Sequence, residues 1–444
     1  MKEAFFRKDL VAGIIILMLS VAVIPAIGIV GDKGSKLEEK QSILQESSND
    51  DSLFDLKIRL LMRLTHIPSL TACIIKNDTI VWSKAYGYSD IYKREKATTD
   101  TIYRIASITK TFTGTALMQL YEQGLFDLDD NVSEYLPFDL KNPKYPDTNI
   151  TFRMLLAHQS SFCCINVESL FAPLEPRLGD NSVIGSLKWY LFTLIHLKDY
   201  ISGFYPDDIY PWIKEVMVPG GDLYYPEHWG DYPPGEGEFY TNIGYILLGY
   251  LIEQISGQSF EAYCKEHILE PLSMNNSSFF IYEINKDKLA IPYLWSHGIY
   301  HPMPHFELNC FNPAAGLFSD VNDLSKYLIA HMNEGVYNGV KILDRSTIEQ
   351  MHTIQYTNGI YGLGWEIIER NGIRRGGHVG SMPCFRSMMH SVNSTSLENT
   401  GIIYFWNENI YGAPLIGLFR RIIGTYIRYN QWDLFYEKAL ELSE

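Results

Sequence analysis

The chain has 444 residues, of which 46% are hydrophobic and 20% are charged. This balance excludes a disordered or collagen-like chain, because enough apolar surface is present to bury a sizeable core. The net charge is -15, with 37 Lys and Arg residues against 52 Asp and Glu residues. Such a charge would repel a phosphate backbone, so we expect no nucleic-acid partner.

The first predicted element is an apolar segment from Leu10 to Val30 that contains no charged residue. Its 21 residues are enough for a helix that crosses a bilayer, and the preceding Arg7 and Lys8 would keep the N-terminus in the cytoplasm. A cleaved signal peptide is the alternative, because Ala26-Ile27-Gly28 resembles a small-x-small cleavage site. We favour a retained membrane anchor, since the apolar run is longer than that of a usual signal peptide. Both alternatives place the rest of the chain outside the cytoplasm, either membrane-anchored or secreted.

Three regions are predicted to follow the apolar segment. Residues 31–52 are polar and rich in Ser, Asp, Glu and Lys, which predicts a stalk. A folded domain is expected over residues 53–428, with a C-terminal tail over residues 429–444. The six cysteines predict no particular disulfide, because a domain of this size needs no disulfide framework.

Apolar periodicity predicts the local structure of this domain. A helix over residues 53–64 precedes two strands, over residues 70–75 and 80–86, that pair as a hairpin. Helices over residues 107–123 and 242–256 follow, and each ends at a glycine.

Four short strands near the C-terminus are separated by Gly, Asn and Ser. They are predicted at residues 361–369, 372–379, 384–391 and 400–406. A final helix is predicted over residues 413–428. This order of elements predicts an α/β (α+β) fold, in which an antiparallel sheet built from both chain ends is flanked by helices and carries an inserted all-helical lobe.

An aromatic-rich insertion is expected at about residues 163–238. Within residues 189–240, 14 of 52 residues are aromatic, or 27% against 14% for the whole chain. Two interpretations stay open. The insertion is either a lid whose aromatic faces line a cleft or touch a membrane, or a lobe that uses its aromatic residues to build a small core of its own.

The only Ser-x-x-Lys sequence in the chain is Ser107-Ile108-Thr109-Lys110. Residues three apart at the start of a helix lie on one face, so the Lys110 amine can reach the Ser107 hydroxyl. A partly desolvated lysine can take the serine proton, and the helix N-terminus points N–H groups at developing negative charge. A Ser and a Lys can share an ordinary helix by chance, so the tetrapeptide alone is weak evidence for a catalytic pair. Two later motifs strengthen this interpretation.

The later motifs are Tyr240-Thr241-Asn242 and His378-Val379-Gly380. The first lies between a turn-forming Pro- and Gly-rich segment and a predicted helix, and the second lies in a predicted strand. With 133 and 138 residues between them, the three motifs resemble those of the serine β-lactamase and penicillin-binding-protein superfamily, in its class C-like branch. Flanking stretches such as 150–160 and 315–319 match as well, and the resemblance covers residues 53 to 428.

The resemblance implies a role for each motif residue. Ser107 would be the acylated nucleophile, with Lys110 and Tyr240 as its base system. A tyrosine has an unperturbed pKa of about 10, so Tyr240 would need the adjacent Lys110 ammonium to act as a base at neutral pH. Asn242 would position Lys110 and the substrate amide.

The second half of the site is implied to lie on the predicted strand. The backbone N–H groups of Ser107 and Ser381 would form the oxyanion hole. Gly380 has no Cβ and would let the substrate lie against the strand. His378 would occupy the position where many β-lactamases carry a lysine.

Three departures from the family pattern affect the expected substrate. His378 is largely neutral at pH 7, so the site would lack a fixed positive charge for a β-lactam carboxylate. Arg374 and Arg375 either supply that charge or form a solvated pair. Ser161 stands where the family usually has glycine, and the interval from His158 to Tyr240 is longer than in compact family members. The neutral His378 argues against an efficient β-lactamase.

No cofactor and no metal are expected. His297, His301 and His305 recur every four residues, as ligands on a helix would, but Pro302 and Pro304 break any helix there. The chain has no GxxxxGK[ST] loop and no strand-linked GxGxxG sequence, so no nucleotide is implied.

The predicted function is that of a serine hydrolase acting through an acyl-enzyme on Ser107. It would cleave peptide, amide or carboxylic ester bonds in a small-molecule or peptide substrate, and we lean towards a peptidase or amidase. The alternative is a catalytically silent family member that acts as a ligand sensor or scaffold. The intact Ser107, Lys110, Tyr240 and His378 argue against that alternative.

Overall fold

The computed structural model describes residues 52–163, 209–296, 299–370, 372–382, 384–394, 397–407 and 434–443, and its largest element is a seven-stranded sheet. In chain order the strands are β1 (Ser69–Lys76), β2 (Thr79–Asp90), β3 (Glu95–Lys96), β4 (Glu366–Arg370), β5 (Ile373–Met382), β6 (Phe385–Asn393) and β7 (Thr400–Trp406). Their order across the sheet is β4-β5-β6-β7-β1-β2-β3, and all neighbours are antiparallel.

The sheet joins the two ends of the domain, as the sequence predicts. Strand β7 pairs with β1 from Leu70 opposite Trp406 to Lys76 opposite Thr400. Strand β1 is buried along seven of its eight residues, because it has a paired neighbour on each side and helices on its face. The predicted hairpin between β1 and β2 turns at Asn77 and Asp78, whose φ angles of +47° and +62° suit these two residue types.

Helices occupy the interval between the two sets of strands. The helix α1 (Leu53–Thr65) precedes β1, and the helices in the interval are α2 (Thr109–Glu122), α3 (Phe152–Leu156), α4 (Ile209–Met217), α5 (Asn242–Ser256), α6 (Phe260–Cys264), α7 (Asn312–Ala315), α8 (Val321–Met332) and α9 (Arg345–Met351). The predicted α/β (α+β) class with an inserted helical lobe is confirmed. The two principal predicted helices end as expected, since Gly124 follows α2 with a φ of +71° and Gly257 follows α5 with a φ of +72°.

The described part of the aromatic-rich insertion belongs to the main hydrophobic core. Trp212 and Ile213 of α4 and the following Trp229 are buried in the same cluster as α2 and α5. The indole N–H of Trp229 donates to Met217 O at 3.0 Å, which ties the segment after α4 to the end of that helix. This part of the insertion therefore does not form a separate core. Residues 164–208 lie outside the described residues.

The predicted C-terminal tail contains a helix. Residues 434–441 form a further helix, α10, and its Phe435 and Ala439 are buried. The Phe435 ring stacks on Tyr404 of β7 with 4.9 Å between centroids. A spacing of four residues puts both buried side chains on one helix face, and this short apolar pattern was missed in the sequence.

Several predictions fall outside the described residues: the apolar segment Leu10–Val30, the stalk up to residue 51 and the helix over 413–428. None of the helices in the described ranges is long and apolar enough to cross a membrane. The described residues from Ile58 onward belong to one compact unit, which contains the sheet and the helices from α2 onward.

Candidate active site

Ser107 lies in a short 3₁₀ turn, Ala106–Ile108, that leads directly into α2. Ala106 has a φ of +48°, in the left-handed region that a residue with a Cβ seldom adopts. Backbone strain of this kind persists where neighbouring contacts hold it, and here Thr109 Oγ1 donates to Ala106 O at 2.6 Å. The turn presents a half-buried Ser107 hydroxyl at the N-terminal end of a long helix.

Lys110 lies in the first turn of α2 and is fully buried. Its Nζ is 3.1 Å from Ser107 Oγ, 2.7 Å from Asn242 Oδ1 and 2.8 Å from Ala314 O. Asn242 begins α5 and Ala314 lies in α7, so three helices meet at this amine. The contact between residues three apart is present as predicted, and Asn242 reaches the same amine across 132 residues.

The partners of Lys110 fit either protonation state of its amine, and burial favours the neutral one. All three are uncharged, and burial lowers the pKa of Lys110 well below its ordinary value. The oxygens of Asn242 and Ala314 only accept hydrogen bonds, so they take both N–H groups of a neutral amine. In that state the lone pair of the amine would face the Ser107 hydroxyl, which is the geometry of a general base, whereas an ammonium would donate to all three oxygens.

Tyr240 lies on the open side of the Ser107–Lys110 pair. Its hydroxyl hydrogen-bonds with Ser107, its ring centroid is 5.0 Å from Lys110 Nζ, and 38% of the residue is exposed. Burial of the hydroxyl raises the pKa of Tyr240, and the bond with Ser107 opposes this rise only in part. The sequence predicts a phenolate sustained by a Lys110 ammonium, whereas these pKa directions favour a neutral phenol beside a neutral amine. A neutral Tyr240 is suited to relaying a proton.

His378 lies on β5 and is buried, with its ring centroid 5.9 Å from that of Tyr240. Burial lowers the pKa of His378 to about 3, which favours a neutral ring at pH 7. Its Nδ1 lies 2.7 Å from Val379 O, and a carbonyl only accepts, so Nδ1 carries the proton. The buried Nε2 therefore holds a lone pair, and it has no partner within the described ranges.

Gly380 brings β5 against the turn that carries Ser107. A Cβ on Gly380 would overlap Ile105 O and Ser387 Oγ, and this hydroxyl donates to the same carbonyl at 2.6 Å. From the sequence, we expected glycine at this position to make room for the substrate. In the structure, the space that a Cβ would need is taken by Ile105 O and Ser387 Oγ. Ser381 follows as an exposed residue of β5, opposite Arg386 of β6.

The two arginines before this strand segment are not equivalent to a lysine at position 378. Arg374 Nε lies 3.1 Å from Glu369 Oε1, and the same guanidinium donates to His352 O. Strand β4 pairs with residues 373–377 of β5, so Arg374 lies at the paired end of the strand, away from Gly380 and Ser381. Its charge is balanced there by Glu369.

Three contributors to the site were missed in the sequence. Ala314 acts through its backbone carbonyl, which leaves no residue-type signal. His158 lies inside a stretch that matches the family, yet its contacts with the Tyr240 segment require the folded chain. Arg104 is buried two residues before Ala106 and donates to Gly316 O at 3.4 Å, which links the residues before the Ser107 turn to the segment after α7. Burial lowers the pKa of Arg104 to about 9.

Ser161 shows how this chain accommodates its departure from the family glycine. Its φ is +62°, a left-handed conformation that favours glycine. The hydroxyl donates to Tyr232 O at 2.6 Å and accepts from Asn142 Nδ2 at 2.8 Å. These two buried hydrogen bonds offset the backbone strain and tie the segment after His158 to the loop that leads to Tyr240.

We expect Ser161→Ala to destabilise the fold by about 2 kcal/mol, because it keeps the strained backbone and removes both hydrogen bonds. Ser161→Gly removes the same bonds but also relieves the strain, so its free energy of unfolding should lie within about 1 kcal/mol of the wild type. Urea unfolding of the three proteins measures this difference. Equal stability of the alanine and glycine variants would contradict the role given to the backbone.

The described members of the histidine series do not lie on one helix. His301 lies on a short strand, Ile299–Pro302, that pairs with Tyr293–Ser296 as a hairpin, so a helical ligand spacing is not realised. His297 lies outside the described residues. Within the described ranges no group of three or more His, Cys, Asp or Glu side chains is placed to hold a metal ion.

The family of the chain follows from its comparison with known proteins. Residues 54–163 and 192–423 match the model of the Beta-lactamase family, and the chain belongs to this family. Beta-lactamase-like protein 2 of Dictyostelium discoideum is 30% identical over 365 residues, which cover 80% of this chain and 58% of that protein. A putative D-alanyl-D-alanine carboxypeptidase of Escherichia coli is 26% identical over 333 residues, 68% of each chain. The chain spans about three fifths of the length of the first two curated relatives, which include Protein flp of Staphylococcus aureus.

Solved structures agree with this family. The octameric penicillin-binding protein homologue from Pyrococcus abyssi superposes with a TM-score of 0.62 at 29% identity, over 84% of this chain and 77% of that one. A D-amino acid amidase from Ochrobactrum anthropi, solved with L-phenylalanine amide, gives a TM-score of 0.57 over 82% of this chain and 93% of its own. Its sequence identity is 19%, so this second likeness shows the shared fold alone.

Proposed function

We propose that this protein is a serine hydrolase that forms an acyl-enzyme on Ser107. The observation that carries the proposal is the contact of 3.1 Å between Lys110 Nζ and Ser107 Oγ, made by an amine whose other two partners are carbonyl oxygens. A buried neutral amine in this position can take the serine proton, and no metal or cofactor is needed for that step. Membership of the Beta-lactamase family supports the same chemistry.

The proposed reaction has two halves that balance in protons. In the first half, Lys110 takes the Ser107 proton while Oγ bonds to the substrate carbonyl carbon. The bond to the leaving nitrogen or oxygen then breaks, and the leaving group takes a proton from Lys110 through the Tyr240 hydroxyl. In the second half, water attacks the ester on Ser107, and a carboxylic acid leaves as Ser107 regains its proton.

The negative charge of the tetrahedral intermediate needs donors close to Ser107. We assign this role to the backbone N–H groups of Ser107 and Ser381, and one such donor lowers a barrier by about 3 kcal/mol. The packing of β5 on Ile105 supports this assignment, because it holds the strand that carries Ser381 beside the nucleophile turn.

The proposed substrates are amides or peptides, with carboxylic esters as the second class. A carboxylic ester and an amide need the same base and oxyanion donors, so geometry at Ser107 accepts both. The neutral His378 supplies no fixed charge for a substrate carboxylate, which disfavours β-lactams. The name of one relative, a putative D-alanyl-D-alanine carboxypeptidase, is compatible with cleavage of an amide bond.

We also propose that the catalytic domain works outside the cytoplasm. The support is the uncharged segment Leu10–Val30 with Arg7 and Lys8 before it. Protease added to intact cells should then remove the catalytic domain, or the domain should appear in the medium. A domain that stays protected until the cells are lysed would contradict this location.

The central test is covalent labelling of Ser107 by a fluorophosphonate probe. We expect one label per chain in the wild type and none in Ser107→Ala, with mass spectrometry placing the label on Ser107. A panel of D-amino acid amides, peptides, short esters and a chromogenic β-lactam then identifies the substrate class. Folded wild-type protein that takes no label and turns over no panel member would instead support the ligand sensor or scaffold.

A further inference from the structure

His158 accepts hydrogen bonds from the two residues that flank Tyr240 in the sequence. The backbone N–H of Phe239 donates to His158 O at 2.9 Å, and the N–H of Thr241 lies 3.3 Å from His158 Nδ1. The residues immediately before and after Tyr240 are thus both bonded to this one residue. His158 itself has a φ of +58°, so its backbone adopts a strained conformation to make these contacts.

The His158 ring also packs directly against Tyr240. Their centroids are 4.6 Å apart, and the same imidazole lies 5.1 Å from the Tyr245 ring and 4.6 Å from the Tyr361 ring. His158 is only 1% exposed. An imidazole enclosed by three tyrosine rings has little freedom to rotate, so it restricts the position of the Tyr240 ring as well as its backbone.

The hydrogen bond from Thr241 determines which nitrogen of His158 carries the proton. Because Nδ1 accepts from an N–H group, a neutral ring must carry its proton on Nε2. Burial lowers the pKa of His158 well below its ordinary value and favours the neutral ring. A protonated ring would lose this acceptor, so neutrality maintains the contact with Thr241.

The chain segment that carries Tyr240 depends on contacts of this kind. Tyr240 lies on the loop between the 3₁₀ turn Pro226–His228 and α5, outside any helix or strand of the described chain. The loop bonds repeatedly to the segment that starts at His158, with Gly235 N donating to Gln159 O at 2.7 Å and Gly230 N donating to Ser161 O at 2.8 Å. His158 is the member of this segment next to the proton-relay residue.

We propose that His158 is a positioning residue that holds the Tyr240 hydroxyl in place over Ser107 and Lys110. It acts through Tyr240 and through the start of α5, where Asn242 contacts Lys110. This inference rests on the proposed hydrolase function and adds a residue to its machinery. A displacement of about 1 Å in a catalytic group can cost about 10²-fold in rate, so a substitution that frees Tyr240 should be visible in kcat.

The test compares variants that remove the ring and the acceptor separately. His158→Phe keeps an aromatic ring but cannot accept from Thr241, and His158→Asn places Oδ1 where Nδ1 was but has no ring. We expect kcat to fall by about 10- to 100-fold in His158→Phe with KM changed by less than about threefold, and to recover partly in His158→Asn. If His158→Phe does not fold, His158→Gln replaces it, because its amide oxygen takes the Nε2 position and leaves Thr241 without an acceptor.

A matched control separates positioning from loss of stability. Phe162 is buried in the same segment and packs on Trp229, with 5.0 Å between the ring centroids, away from Tyr240. Phe162→Leu should lower the melting temperature and leave kcat at the wild-type value. A wild-type kcat in His158→Phe, or an equal loss in Phe162→Leu and His158→Phe, would overturn the inference. An unlabelled wild type would instead refute the hydrolase function.

Discussion

Replacing Lys110 with methionine is expected to slow acylation of Ser107 by about 10²- to 10⁴-fold, because the variant keeps the volume of the side chain and removes the general base. The rate is measured as single-turnover labelling by the fluorophosphonate probe, with Ser107→Ala as the zero. Circular dichroism and the melting temperature show whether the variant is folded.

Lys110→Arg distinguishes a base from a positive charge at this position. Arginine keeps a cation and its hydrogen-bond donors but cannot give up a proton in a protein. If the neutral amine is the base, the arginine variant should be as slow as the methionine variant. A Lys110→Arg variant that keeps more than about a tenth of the wild-type rate would contradict the base role.

The pH dependence of the wild type follows from the same group. The base is active when deprotonated, and burial lowers the pKa of Lys110, so activity extends well below the usual lysine pKa of about 10.4 and is lost as the pH falls through the lowered pKa. The pKa of His378 is about 3, so this ring does not titrate between pH 5 and 8. We therefore expect the acid limb of kcat/KM to persist in His378→Asn.

Gly380→Ala is expected to damage both stability and activity. Its Cβ would overlap Ile105 O and Ser387 Oγ, so either β5 or the Ile105–Ser107 turn must move. Overpacking of this kind costs about 1–3 kcal/mol, and a shift of about 1 Å at Ser107 costs about 10²-fold in acylation rate. Denaturant unfolding measures the first effect and single-turnover labelling the second.

Gly244→Ala is the matched control for that substitution. Gly244 lies in α5, two residues after Asn242, and the nearest atom to its added Cβ would be Leu155 Cδ2 at an ordinary 3.7 Å. Alanine in a helix is more favourable than glycine by up to about 1 kcal/mol, so this variant should be at least as stable as the wild type. If the two alanine variants have the same free energy of unfolding and the same labelling rate, the close approach of β5 to Ile105 is not the reason for glycine at position 380.

Local patterns account for the parts of the fold that were predicted correctly. Strands β1 and β2 were recognisable because apolar runs flank Asn77 and Asp78, which tolerate the turn conformation themselves. The end of α5 was recognisable because Gly257 takes the left-handed conformation there. The helix at residues 434–441 was missed because its buried face consists of few residues and is recognised only where it packs on β7.

The sequence by itself determined the family, the order of the elements and the Ser107–Lys110 pair. The pair could be predicted because residues three apart at the start of a helix lie on one face, wherever the helix packs. Only the tertiary structure decided the state of that pair. The pKa of Lys110 is lowered because helices from three parts of the chain bury its amine beside uncharged partners, one of them the backbone carbonyl of Ala314. Desolvation depends on all the atoms around a group, so no short motif specifies it. The contacts between His158 and the residues on either side of Tyr240 also join distant parts of the chain, so they could be recognised only in the folded structure.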